Sequence, residues 1–191
     1  MSTTETTHPQ LQAFDAAISR LSDEVRAKTD KAKTVAREKL AELRAKRDSK
    51  RLEIMAGIST GIITAQAELS KATKDAASAT GEAKGKGEAR RQQSQRKLEQ
   101  AKRELQDFAK NVQHGTDDEI ESLDADAKTA EAATKDRIAK SRDRLRAQRD
   151  AFTQSAEAFA QASGAKLEHA KQEFELSMQV LTDLQNEGAA L

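Results

Sequence analysis

Two stretches of the chain place apolar residues at alternating steps of three and four. The positions in the first stretch are Leu11, Phe14, Ile18, Leu21 and Val25, and those in the second are Leu98, Ala101, Leu105, Phe108 and Val112. This spacing is typical of a heptad seam, the narrow stripe that two α-helices bury between them. We therefore predict two helix-packing seams, and we expect both of them to contribute to self-association.

Between the seams the apolar positions drift more slowly around the predicted helix, at about 3.67 residues per turn, which favours straight or slightly right-handed packing. Residues 54–67 form the longest run without charge and contain two glycines four residues apart. Small residues at this spacing let helix backbones approach closely. The run therefore predicts either a close helix contact or contact with a surface, and the alternative is a local weakness in the helix. The residues predicted to make this contact are Ile54, Gly57, Ile58, Gly61 and Ile62.

Residues that interrupt helices divide the chain into segments. Residues 1–9 are polar and rich in Ser and Thr, and they end at the only proline, which is tolerated in the first turn of a helix. Residues 81–87 hold three of the eight glycines, a concentration typical of a turn. We therefore predict a flexible tail over 1–9, a helical arm over 10–80, a glycine-rich turn at 81–87 and a second arm over 88–191.

A further break or kink is predicted at 114–116. Gly115 precedes Thr116, and Glu119 follows three residues later, which is the spacing of a capping box at the start of a helix. The predicted fold class is therefore all-α, an elongated antiparallel hairpin or coiled coil of long amphipathic helices. If Gly115 reverses the chain, the prediction becomes a bundle of three or four helices.

Charge is arranged in blocks along the chain, and this layout fits either form of the predicted fold. The chain has 33 Lys and Arg against 32 Asp and Glu, a net charge of +1, yet 37–51 is mainly basic and 117–131 mainly acidic. Folding at the glycine-rich turn would set these blocks side by side, with Arg47 facing Glu121. Exposed ion pairs contribute only about 0–1 kcal/mol each, so they select the orientation more than they stabilise it. A reversal at Gly115 would instead set the acidic block beside a basic stretch of its own arm.

Composition restricts the chemistry available to the chain. Cysteine is absent and only three histidines occur, so thiolate zinc sites and hydrolytic triads lack suitable residues. The only Glu-x-x-His spacing, Glu5 to His8, lies in the polar tail, which argues against a di-iron bundle. Basic patches are not interleaved with aromatic residues, so we do not expect nucleic-acid binding. We predict no enzymatic activity, no metal and no cofactor.

The predicted function is structural. Apolar residues make up 36% of the chain and aromatic residues 3%, so each thin arm must pair with the other arm, with another copy or with a surface. Our first hypothesis is a scaffolding coiled-coil protein that acts by self-association as a homo-oligomer and by binding a protein partner. The alternative is a peripheral protein whose amphipathic helices coat a lipid, droplet or polymer-granule surface through 52–69 and 152–184.

The expected location is cytoplasmic, at most peripheral to a membrane or granule. No run reaches the roughly 18 apolar residues of a membrane-spanning helix. The first ten residues lack the apolar segment of a secretory signal.

Overall fold

The computed structural model describes residues 8–27 and 30–189, with the side chains of 8–25 and 35–188. These residues form the helices α1 (Pro9–Ala27), α2 (Asp30–Ser78), α3 (Glu82–Thr129), α4 (Ala132–Gln161) and α5 (Leu167–Ala189), with a short 3₁₀ turn at Gly164–Lys166. The described residues contain no strand, so the predicted all-α class is confirmed. None of the described helices is both long and apolar enough to cross a membrane.

Neighbouring helices run antiparallel. The α2–α3 pair is joined across its length by the ion pairs Arg47–Glu119 and Lys97–Glu68. Arg47 was predicted to face Glu121. Its observed partner is Glu119, about half a helical turn earlier in α3. The difference arises because the chain reverses at Gly81, whose φ of 59° lies in the left-handed region, so that residues 82–87 already belong to α3 and the turn is shorter than predicted.

The predicted second arm is three helices, not one. Thr129 ends α3, and an extended Ala130 and Glu131 lead into α4. An extended Ala162 and Ser163 separate α4 from the 3₁₀ turn. The helical pattern in the sequence concealed the first break, because neither glycine nor proline marks it.

The predicted break at Gly115 is wrong, since α3 continues through it without interruption. The described residues therefore form a five-helix bundle. In this bundle α1 lies parallel to α3, as the hydrogen bond from Gln12 to Asn111 and the ring contact of His8 with Phe108 indicate.

The bundle has an apolar core of its own. Four phenylalanines from α3, α4 and α5 have no exposed surface: Phe108, Phe152, Phe159 and Phe174. The Phe174 ring lies 5.5 Å from that of Phe152 and 5.7 Å from that of Phe159, measured between centroids. These separations are typical of favourable aromatic pairs. Ile62, Leu105, Val112, Met178 and Leu181 of the same apolar core are also fully buried.

Two leucine substitutions should distinguish the core-facing side of α5 from its solvent-facing side. Leu181 is fully buried and Leu176 is 62% exposed. We expect Leu181→Ala to lower the free energy of unfolding by about 2–5 kcal/mol, because it leaves a cavity in the core. The matched change Leu176→Ala should stay within about 0.5 kcal/mol of the unsubstituted chain. Urea denaturation followed by circular dichroism measures both, and equal losses would contradict the assignment of the α5 faces.

Candidate functional site

A group of buried and nearly buried polar side chains from four helices lies within the bundle, and we call it the polar cluster. Its members are Asp15 of α1, Arg44, Arg47, Asp48 and Arg51 of α2, Thr116 and Glu119 of α3, and Gln185 of α5. The guanidinium groups at its centre, those of Arg47 and Arg51, have no exposed surface. Buried charges in a helix bundle are costly unless they are paired, so their partners determine how the helices meet.

Arg47 joins three helices. Its Nη1 donates to Glu119 Oε1 at 2.5 Å, its Nε donates to Asp48 Oδ1 at 3.0 Å, and Nη1 lies 3.7 Å from Asp15 Oδ1. Burial opposes its charge, but the carboxylates of Glu119 and Asp48 outweigh burial and hold the pKa of Arg47 above its usual value. Arg47 therefore stays charged, and it holds α1 and α3 against α2.

Arg51 is the less compensated of the two central arginines. Its Nη1 donates to Gln185 Oε1 at 2.8 Å and its Nη2 to Asp15 Oδ1 at 3.5 Å. Burial, followed by the neighbouring charge of Arg47, lowers the pKa of Arg51 to about 10. Gln185 also donates from Nε2 to Thr116 Oγ1 at 3.2 Å. This one amide thus links α5 to both α2 and α3.

The cluster is electrically balanced. Three guanidinium groups, those of Arg44, Arg47 and Arg51, meet the three carboxyl groups of Asp15, Asp48 and Glu119. Burial raises the pKa of Asp15, against the opposing effect of Arg51 and Arg47. The charges therefore neutralise one another inside the chain. Such a balanced set of ion pairs is suited to fixing the positions of the helices.

Gly115 provides the room that this cluster needs. A Cβ atom at this position would lie 2.6 Å from Asp15 Oδ2 and 2.7 Å from Arg51 Nη2. The glycine lets the two side chains approach the α3 backbone and does not end the helix. The capping-box prediction is also wrong, because Thr116 donates to the carbonyl of Val112 at 2.8 Å and Glu119 pairs with Arg47.

The residues predicted to form seams pack inside the chain itself. Seven of them are buried in the core: Leu11, Ile18, Leu98, Ala101, Leu105, Phe108 and Val112. The other three, Phe14, Leu21 and Val25, are half-buried. The seams therefore serve contacts between helices of one chain, and self-association through them stays a prediction that the closed bundle does not favour.

The five residues predicted to make a close contact or a surface contact differ in their burial within α2. Ile58 and Ile62 are in the core, Ile54 is half-buried, and Gly57 and Gly61 are exposed. No atom lies within 4 Å of a Cβ built at either glycine. Ile58 and Ile62 therefore serve the interior of the bundle, whereas contact of the two glycines with a second copy or a surface stays a prediction.

The segments predicted to contact a lipid or granule surface also face mainly inwards. The large apolar side chains exposed among the described residues are Val35, Leu52, Leu176 and Val180. In the closed bundle the segments 52–69 and 152–184 thus present only three of them to solvent. A coat formed by these segments would require the helices to separate.

Sequence reasoning missed the polar cluster as a site. Its arginines were assigned to an exposed basic block, although Arg47 continues the helical spacing of Leu40 and Leu43. An arginine at a core position of a helix is the signal that could have revealed it.

A cavity of about 270 Å³ opens beside the cluster, with Asp15, Arg44 and Glu119 in its wall. In the described part of the chain, no three His, Cys, Asp or Glu residues are placed to hold a metal ion.

No protein-family model matches this chain, and comparison with curated proteins and with solved structures likewise finds no match.

Two glycine substitutions test the role of Gly115. Gly61→Ala should raise the free energy of unfolding by about 0.5–1 kcal/mol, because alanine favours the helix and the site is open. Gly115→Ala should lower it by about 1–3 kcal/mol, because the new methyl group displaces Asp15 and Arg51 from their ion pairs. Chemical denaturation of both variants gives the comparison, and stabilisation by Gly115→Ala would refute the close approach.

Asp15→Asn tests the effect of burial on the cluster. Since the pKa of Asp15 is raised in the fold, the folded state holds this proton more tightly than the unfolded state. The protonated Asp15 side chain therefore stabilises the fold at low pH. This stabilisation is lost as the pH rises through the raised pKa. The unfolding free energy of the unsubstituted chain minus that of Asp15→Asn should therefore decrease from about pH 4 to about pH 7.

Urea titrations across this pH range provide the measurement. Asp183→Asn is the matched control for the loss of one carboxyl group, because Asp183 is exposed on α5. A difference for Asp15→Asn that grows with pH would mean that attraction to the arginines outweighs burial.

Proposed function

We propose that this protein is a non-enzymatic scaffold, in which a folded helical body carries a projecting pair of helices that binds a partner. The observation that supports this proposal is the unequal length of the helices. The helices α2 and α3 span 49 and 48 residues, whereas α4 spans 30. Two helices of the bundle thus extend well beyond the others, and we call the projecting pair, residues 67–100, the arm.

The limits of the arm follow from contacts at the end of the body. Gln66 Nε2 donates to the carbonyl of Ala162 at 2.6 Å, just after α4 ends. On the other side α1 begins beside Phe108. Beyond this level the described chain supplies only α2 and α3. The α2 half of the arm, residues 67–78, therefore reaches about 18 Å further at about 1.5 Å per residue.

The arm adds little to the stability of the body. Its buried residues are Ala72, Ser94 and, at its base, the core residue Leu98. Gly87 packs so closely that a Cβ there would lie 3.0 Å from the Cα of Ala76. Small side chains of this kind allow close helix packing but bury little apolar area. The stability of the fold therefore does not explain why the arm is so long. In this proposal the length of the arm serves to reach a partner.

The charge of the arm indicates the kind of partner. Residues 67–100 contain eight Lys and Arg against five Asp and Glu, a net +3, although the whole chain carries only +1. Alanine is the main apolar residue on the arm surface, so a partner would be held by charge more than by apolar burial. We propose a protein partner with an acidic surface.

Self-association forms the second part of this proposal. The uncharged run 54–67 leaves Ala56, Gly57, Thr60 and Gly61 exposed on one side of α2. Without charge or bulky side chains, this side offers a flat surface to the same side of a second copy. Coating of a lipid or granule surface is the alternative function, and it requires the bundle to open.

Shortening the arm tests the scaffold proposal. Removal of 70–76 together with 89–95 takes seven residues, about two turns, from each helix and preserves the helix faces. We expect the melting temperature to fall by less than about 4 °C, the shift that about 1 kcal/mol causes in a chain of this size. Calorimetry gives the melting temperature, and small-angle X-ray scattering should detect the shorter maximum dimension.

The matched control removes 56–62 together with 103–109, an equal length from the body. Because this deletion takes out Ile58, Ile62, Leu105 and Phe108, it should abolish the cooperative transition. If both deletions destabilise the chain equally, the arm belongs to the folding core and the proposal fails.

Light scattering of the full chain, with and without vesicles, measures self-association and distinguishes the coating alternative.

A further inference from the structure

Helix α5 carries a row of apolar and acidic side chains on its outer surface. Glu173, Leu176, Val180 and Asp183 follow one another at steps of three, four and three residues, so they lie along one side of the helix. All four are exposed, and Leu176 and Val180 are two of the four large apolar side chains exposed among the described residues. Two apolar groups thus lie between two carboxylates, and we call this set the acidic row.

Helix α4 leaves the acidic row open. The hydroxyl groups of Ser155 and Ser177 lie 2.6 Å apart where α4 and α5 meet. Ala151 and Ala158 lie one turn on either side of Ser155, and both are exposed. Because these side chains are small, a further helix has room to approach the row from this side.

The region around the acidic row is strongly negative. Residues 150–187 contain seven Asp and Glu against two Lys, a net −5, in a chain whose total is +1. Lys171 is shared between Glu168 and Glu175, and Glu187 pairs with Arg144. In the part of the chain that the structure describes, neither Glu173 nor Asp183 forms an ion pair with Lys or Arg. The row therefore has two carboxylates that can receive cations from outside.

The arm carries a basic row of similar length. Lys86, Arg90, Gln93 and Lys97 follow one another along α3 at steps of four, three and four residues. The first three are exposed, and the Lys97 side chain stays 54% exposed although it pairs with Glu68 at 2.9 Å. Along their helices the basic row spans about 17 Å and the acidic row about 15 Å, at about 1.5 Å per residue.

The charge of the basic row is not cancelled within the arm. Among the described residues, the ion pairs of the arm are Arg91–Glu88 and Lys97–Glu68, so Lys86 and Arg90 remain unpaired. Lys71 and Asp75 lie one and two turns beyond Glu68 on α2, and they border the row with opposite charges. The row therefore has a positive charge that can attract the acidic row.

The two rows cannot meet within one chain. Helices α2 and α3 run without a break from the body into the arm. The arm also begins at the level of Ala162, just after α4 ends, and it points away from the body. Continuous helices of this kind cannot bend back onto the outer surface of α5, so only a second copy can bring the rows together.

From these two surfaces we propose that the arm of one copy binds the acidic row of a second copy. Lys86 and Lys97 lie against the carboxylates at the ends of the acidic row. The aliphatic stems of Arg90 and Gln93 cover Leu176 and Val180, as long polar side chains commonly do on apolar surface. This inference rests on the proposed function, because it names the acidic partner of the arm. Since the two surfaces differ, the contact is head-to-tail and can repeat from copy to copy.

Sedimentation velocity of the full chain at increasing concentration tests the assembly. The average mass should rise past that of two chains at about 0.05 M salt and fall towards that of one chain at about 1 M salt, where charges are screened within about 3 Å. A mass that grows equally at both salt concentrations would overturn the inference, because association would then not depend on the charged rows.

Two charge-reversed chains test the assigned surfaces. Lys86→Glu with Arg90→Glu reverses the basic row, and Glu173→Lys with Asp183→Lys reverses the acidic row. Each variant alone should associate at least about tenfold more weakly, because like charges then face each other. An equal mixture of the two variants should regain association, since each arm then meets a row of opposite charge. A folding defect would not produce this recovery.

The matched control reverses one Lys and one Arg of α3 outside the arm, Lys110→Glu with Arg103→Glu, both at exposed positions. It should associate like the unsubstituted chain. Equal loss in the control, or no recovery in the mixture, would overturn the assigned contact.

The scaffold proposal is decided separately, by the melting temperature of the chain with the shortened arm. If that temperature is retained while the full chain stays a single copy at every concentration, the arm has another partner and only the present inference fails.

Discussion

Every helix except α4 depends on the buried guanidinium groups of Arg47 and Arg51. Each buried ion loses several kcal/mol of hydration, which only well-placed partners restore. Asp15 from α1, Glu119 from α3 and Gln185 from α5 are those partners. Sliding any of these helices by one turn, about 5.4 Å, would leave a charge buried without a partner. The cluster therefore excludes alternative registers of the helices. The apolar stripes of this alanine-rich chain would by themselves give these registers only slightly different free energies.

Stability comes chiefly from another part of the bundle. The phenylalanines of α3, α4 and α5 pack against one another, and α4 takes no part in the polar cluster. Helix α4 is instead aligned on α3 by partly exposed ion pairs such as Arg142–Asp124, whose Nη1–Oδ1 distance is 2.8 Å. The chain thus separates two tasks that many bundles combine. Apolar burial around Phe174 stabilises the fold, and ion pairing around Arg47 determines its register.

The sequence was sufficient for the helical class and for the antiparallel pairing of α2 with α3. Composition and charge blocks act along the whole chain, so small local irregularities do not obscure them. The end of α3 and the start of α4 could not be predicted, because Ala130 and Glu131 are compatible with helix and only the tertiary packing of α4 requires the reversal. Gly115 was misinterpreted for a related reason. Its missing side chain accommodates Asp15 and Arg51, which are distant in sequence, and no local pattern records that contact.

A gradient of side-chain size along α2 and α3 explains how one pair of helices serves both the body and the arm. Near Ile62 and Phe108 the interface holds large apolar groups that need further helices to cover them. Near Ala76 and Gly87 the interface is so small that two backbones close it without help. A helix pair with large residues throughout would recruit α1, α4 and α5 along its full length, or expose an apolar surface. The change to alanine, serine and glycine therefore ends the bundle while the helices continue, and a segment with few buried contacts can open without unfolding the body.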